Sequence, residues 1–144
     1  MEPFYHGDML KMISLIYRKM QIHISQTGQR CDLSSGMVPF VMLTCENGEM
    51  PQNRFCTLLD ISKGTAARTL AKLEEQGYVR REENAADGRS VMVYPTEKAR
   101  RVYPKLKEAG DAWVNRMTQG MSEEEKTALL ELLRRVSGNI SAWF

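Results

Sequence analysis

Histidine and cysteine are scarce: His6 and His23, with Cys31, Cys45 and Cys56, are all that occur in 144 residues. Two isolated imidazoles offer little acid–base machinery. No nucleophile–base–acid grouping, glycine-rich phosphate loop or metal-ligand spacing accompanies them, so neither an enzyme nor a metal or other cofactor is expected. An odd number of cysteines without CxxC spacing fits neither a disulfide framework nor a zinc knuckle. Long apolar runs are missing too, and none approaches the roughly 18 residues of a membrane span. The opening MEPFYHGD lacks the basic-then-apolar pattern of a signal peptide. The expected location is therefore the cytoplasm, with no membrane partner. What the chain has is a 42% hydrophobic content, enough to argue against extended disorder. Its length suits one domain of ordinary size.

Net charge is only +2, but its distribution is uneven. Residues 52–107 carry twelve Lys/Arg against seven Asp/Glu, while the segments on either side are slightly acidic. An anionic partner is expected at the middle third.

Periodicity gives four helices, a hairpin and two long helices. Met9–Ile24 is a helix with Asp8 as its N-cap, and it is apolar around much of its girth, as a helix covered by a second subunit would be. A second helix is expected from about Ser34 to Glu46, with Pro39 an awkward interior residue. Pro51–Asp60 reads as a short helix. Ser62–Gly77 is the best delimited, with Ser62 as N-cap, Gly77 as stop and Ala66, Leu70 and Leu73 on its core face. Tyr78–Glu83 and Val91–Pro95 flank the turn sequence NAADGRS, which makes a hairpin. Thr96 caps a long helix that bends at Pro104. Ser122 and Glu125 have capping-box spacing at the start of the last helix.

Two short helices joined by a three-residue turn, the second capped and basic, fit a helix-turn-helix, and the hairpin makes it a winged one. The fold class expected is mainly α with a small β-hairpin wing: six helices in a winged helix-turn-helix. The capped helix start offers backbone N–H groups to phosphate. Gly64 permits close approach. Lys63, Thr65, Arg68, Thr69 and Lys72 lie largely opposite the core face, and Arg68 has the fork to pair with guanine. The expected DNA-binding set is Ser62, Lys63, Gly64, Thr65, Arg68, Thr69, Lys72 and Arg89.

QNRFCTLLDISKGTAARTLAKLEEQGYVRREENAADGRSVMVYPTEKAR resembles the DNA-binding core of the MarR family of bacterial regulators. LSSGMVPFVMLT is similar to the family's second helix, proline included. The resemblance implies a homodimer built from the first and the last two helices, with residues 1–33 and 99–144 dimerising and 34–98 forming the DNA-binding lobe. It implies a recognition helix in the major groove of a palindromic operator in double-stranded DNA. In the wing, Asp87 and Gly88 would set the geometry while Arg89 enters a minor groove. Phe55 stands where leucine is usual, Cys56 where a small residue is usual, and Ala99 where glycine is common.

Regulators of this kind commonly release DNA when a small aromatic or anionic effector binds between the dimer helices and the DNA-binding lobe. Met12, Ile16, Met20, His23, Phe40 and Met42 are candidates for that pocket, or for core and dimer packing. The function expected is a repressor relieved by such a ligand. Its rivals are a thiol-based redox regulator, using Cys31 beside Arg30, and a winged-helix protein-interaction module that never touches DNA.

Overall fold

The computed structural model describes residues 6–83 and 90–144. In chain order they form α1 (His6–Gln29), α2 (Val38–Asn47), β1 (Met50–Pro51), α3 (Gln52–Leu59) and α4 (Lys63–Glu75). β2 (Val79–Glu83), β3 (Val91–Pro95), α5 (Glu97–Met117) and α6 (Glu123–Trp143) follow. Packing divides the chain into two compact units, residues 1–110 and 111–144.

The first unit is a winged helix-turn-helix. Val41, Phe55, Leu70, Leu73, Val93 and Ala99 are fully buried and draw α2, α3, α4, β3 and α5 onto one core. Phe40 and Phe55 stack at 5.1 Å between centroids and 14° between planes, which joins α2 to α3. The strands are antiparallel in the order β1-β3-β2, with Met50 and Arg81 both opposite Val93. A two-residue β1 has no periodicity to read, and the sequence gives no sign of it.

Three boundaries differ from expectation. α1 runs on to Gln29, beyond Ile24. It stops where a Cβ on Gly28 would come within 2.3 Å of the Leu33 carbonyl oxygen, so only glycine lets the chain double back there. Asp8 lies inside the first turn, where a carboxylate faces the positive helix end, and is not the cap. α2 starts at Val38, because residues 35–37 form a turn and Met37 N–H reaches only the Ser34 carbonyl. Pro39 therefore sits in the opening turn, where no N–H is needed, and interrupts nothing.

Both ends of α4 are closed as the sequence predicts. Thr65 N–H donates to Ser62 Oγ at 3.1 Å. At the other end Gly77 takes φ 83°, while Tyr78 N–H reaches the Leu73 carbonyl at 2.8 Å and Gly77 N–H the Glu74 carbonyl at 3.0 Å. Thr96 accepts from Ala99 N–H and donates to the Gly77 carbonyl at 2.6 Å, so one hydroxyl starts α5 and ties it to the end of α4.

In the second unit α6 opens with a full capping box. Glu125 N–H donates to Ser122 Oγ at 3.1 Å, and Ser122 N–H donates to Glu125 Oε1 at 3.0 Å. The Ser122 backbone bond, then its hydroxyl, hold the Glu125 carboxyl below the usual glutamate range. No residue of α6 is buried in the single chain. Leu132, Leu133, Val136, Ile140, Trp143 and Phe144 all stand in solvent. In the first unit the same holds for Met9, Leu10, Met12, Ile13, Leu15 and Ile16 of α1. Among the described residues no helix is long and apolar enough to cross a membrane.

Candidate nucleic-acid interface

The α3–α4 connection is as short as the sequence suggests. Asp60 closes α3 in the left-handed region at φ 53°, Ile61 N–H returns to the Cys56 carbonyl at 3.1 Å, and Ser62 begins α4. Ala66, Leu70 and Leu73 anchor one side of α4 in the core. Its other side is thereby committed to solvent, and Lys63, Gly64, Arg68 and Lys72 are exposed there, with Thr65 and Thr69 half-buried.

Arg68 does not extend freely. Its Nη2 lies 3.4 Å from Thr65 Oγ1, which also accepts from Ser62 Oγ at 2.9 Å. The guanidinium folds back over the first turn of α4, and a Cβ on Gly64 would stand 3.2 Å from Nη1. Gly64 thus leaves room for the arginine at the helix end where backbone N–H groups already favour anions. Ser62, Lys63, Gly64, Thr65 and Arg68 form one constellation, with Thr69 and Lys72 following along the helix.

The wing strands are fixed to this helix. Arg81 of β2 donates its backbone N–H to Glu74 Oε2 at 2.8 Å, and its Nε and Nη2 reach Glu74 Oε1 at 3.3 and 3.2 Å. Arg80 lies over the Tyr94 ring at 4.6 Å and pairs with Glu82. The wing residues Asp87, Gly88 and Arg89 lie outside the described residues.

A cleft of about 870 Å³ opens behind α4. Tyr17 and Gln21 of α1, Ser34 and Ser35 of the connection, Phe40 of α2, and Arg68 and Lys72 of α4 line it. Among its described lining residues two are cationic and none is a carboxylate, which suits an anion with an apolar body. Phe40 is the residue of the proposed ligand set that lines this cleft. The others stand elsewhere because α1 turns Tyr17 and Gln21, one turn apart, towards it. Met12 and Ile16 are exposed, Met20 is half-buried, and Met42 packs against the core. His23 places Nε2 2.8 Å from the Ala109 carbonyl oxygen. Tyr17 and Gln21 share a face of α1, but only the folded chain brings them together with Ser34 and Ser35.

All three cysteines are free thiols and half-buried. Burial pushes the Cys45 thiol up, with Arg100 opposing and Glu46 adding to the shift, so its reactive thiolate is disfavoured. Cys31 offers its backbone carbonyl to the Tyr78 hydroxyl. Among the described residues no group of three His, Cys, Asp or Glu is placed to hold a metal ion.

Comparison with known proteins agrees with this geometry. Residues 39–90 match the family model described as MarR family. The HTH-type transcriptional regulator YfiV of Bacillus subtilis, itself uncharacterised, is 30% identical over 108 residues, covering 75% of this chain and 68% of that protein. The crystal structure of the transcriptional regulator SlyA superposes with a TM-score of 0.86 at 30% identity, covering 94% of this chain and 96% of that one. A MarR family regulator from Listeria monocytogenes, solved with a 26-mer DNA, has the same fold at 24% identity, with a TM-score of 0.86 over 99% of this chain and 91% of its own. The chain is a member of the MarR family of transcriptional regulators.

Proposed function

We propose that this regulator binds a palindromic operator in double-stranded DNA as a homodimer and represses transcription until a small aromatic anion displaces it. The observation that carries the reading is the first turn of α4. Its buried face fixes the helix, while the capped end presents Lys63 and the folded-back Arg68 in solvent, with Arg68 held over the half-buried Thr65. In the proposed complex that turn enters the major groove, where Arg68 reads a base edge and Lys63 and Lys72 meet phosphates. Arg89, between β2 and β3, enters the adjacent minor groove. The exposed apolar faces of α1 and α6 supply the dimer contact, with residues 1–33 and 99–144 dimerising and 34–98 binding DNA. Two-fold symmetry of the dimer then requires a palindromic site.

The cleft behind α4 is the effector site in this reading. Arg68 and Lys72 line it from the same helix that faces DNA, so an anion held there competes for charge the groove needs. The working compartment is the cytoplasm, where the chromosome lies. Footprinting on the DNA beside the protein's own gene tests the proposal, repeated with aromatic acids and with oxidant and reductant. A symmetric footprint that weakens with an aromatic acid and ignores oxidant supports it. Absence of any protected site, or loss of protection with oxidant alone, contradicts it.

A further inference from the structure

A second cleft, of about 240 Å³, opens where the first turns of α3 and α4 meet the start of β3. Gln52 and Asn53 reach it from α3, Lys63 from α4 and Ser90 from the residue before β3, with Cys56 beside them. No carboxylate is among its described lining residues.

The orientation of Gln52 is decided by a neighbour outside the cleft. Arg81 Nη1 lies 3.4 Å from Gln52 Oε1, a long contact, but its polarity is unambiguous. A guanidinium has only donors, so it holds the amide oxygen and leaves the amide NH₂ to serve the cleft. Arg81 is in turn gripped by Glu74 through its backbone N–H, Nε and Nη2. Glu74 therefore fixes Arg81, and Arg81 fixes which end of Gln52 is offered. The cleft combines an ammonium with an oriented amide donor, and the Asn53 amide can add another. With an ammonium and no carboxylate among the described lining residues, such a set favours an anion with several oxygens.

Resting on the operator-binding reading above, the geometry points to a seat for one DNA backbone phosphate per protomer, at the junction of recognition helix and wing. Arg81 acts in it as a positioning residue, through Gln52, and does not itself touch DNA.

Operators carrying a single neutral methylphosphonate, moved along the footprinted site, test this by fluorescence anisotropy. One position per half-site is expected to cost the wild type roughly tenfold, the worth of a charge-assisted hydrogen bond. The same substitution should cost Lys63→Gln and Gln52→Leu far less, because they have already lost the contact. Lys63→Gln should also lower the slope of log affinity against log salt by about 0.9 per half-site. Arg81→Met should weaken binding in the wild type and add little in Gln52→Leu, whereas an arginine needed only for folding costs the same in both. If Arg81→Met does not fold, the Lys63 and Gln52 variants decide the matter alone. Equal methylphosphonate profiles in wild type and variants, or an undiminished Arg81→Met effect, overturn the proposal and leave operator binding standing. A wild type that prefers no duplex over unrelated DNA removes both.

Discussion

Phe55 stands where the family resemblance leads one to expect leucine, and its aromatic ring has a partner in Phe40. Its ring is fully buried and lies nearly parallel to Phe40 at 5.1 Å, the geometry of an offset stack. Phe55→Leu keeps most of the volume and loses the stack. The pair accounts for about 0.5–1.5 kcal/mol beyond area burial, and a shape change in a packed core adds up to about 1.5 kcal/mol. The expected loss is about 0.5–3 kcal/mol, against about 3–5 kcal/mol for Phe55→Ala, which opens a cavity. Urea denaturation at one fixed protein concentration is the assay, because dimer stability depends on concentration. The midpoint should fall with the slope unchanged. A cycle with Phe40→Leu should return a coupling of about 0.5–1.5 kcal/mol. Since Phe40 also lines the cleft behind α4, Phe55→Leu should weaken binding of an aromatic acid as well. A coupling within about 0.3 kcal/mol of zero would refute the reasoning, because the rings would then be neighbours without a stack.

Ser62→Ala should cost about 1 kcal/mol by removing the α4 cap, and Ser62→Gly only a few tenths; equal costs in thermal denaturation would argue against a capping role. Glu125 has its carboxyl lowered in the folded state, so its contribution is whole above the usual glutamate range and lost as pH falls through the lowered value. The stability gap between wild type and Glu125→Ala, followed by thermal melts across pH, should close in acid; a gap that does not change with pH counts against the capping box. Arg89→Ala should weaken operator binding by more than about tenfold in a gel shift while sedimentation still shows a dimer. Unchanged affinity would remove the wing from the mechanism.

The parts of the fold legible in the sequence were those with chemistry local to a few residues. Ser62 and Gly77 mark the ends of α4, and Ser122 with Glu125 marks the start of α6, because caps act over one turn. The start of α2 is not legible in the same way, because Pro39 suggests an interior kink unless the turn at residues 35–37 is known. β1 was invisible, since its two residues become a strand only by pairing with β3. At the interface, Lys63, Thr65 and Arg68 follow from helical spacing, but Arg68 folding back onto Thr65 depends on rotamers that spacing does not encode. Arg81 has no local signature either, because its partners Glu74 and Gln52 lie seven and 29 residues away. The lining of the larger cleft is assembled from α1, the connection after it, α2, the end of α3, the α3–α4 turn and α4, so no single window of sequence contains it.

The most direct measurement of the central claim compares wild type and Arg68→Ala on the footprinted operator and on versions changed one base pair at a time. The account predicts that wild type discriminates strongly at one position in each half-site. There Arg68→Ala should lose about 1–3 kcal/mol on the native base and become indifferent to its identity. An Arg68→Ala protein that binds every version as selectively as wild type would contradict the assignment of the first turn of α4 to base reading.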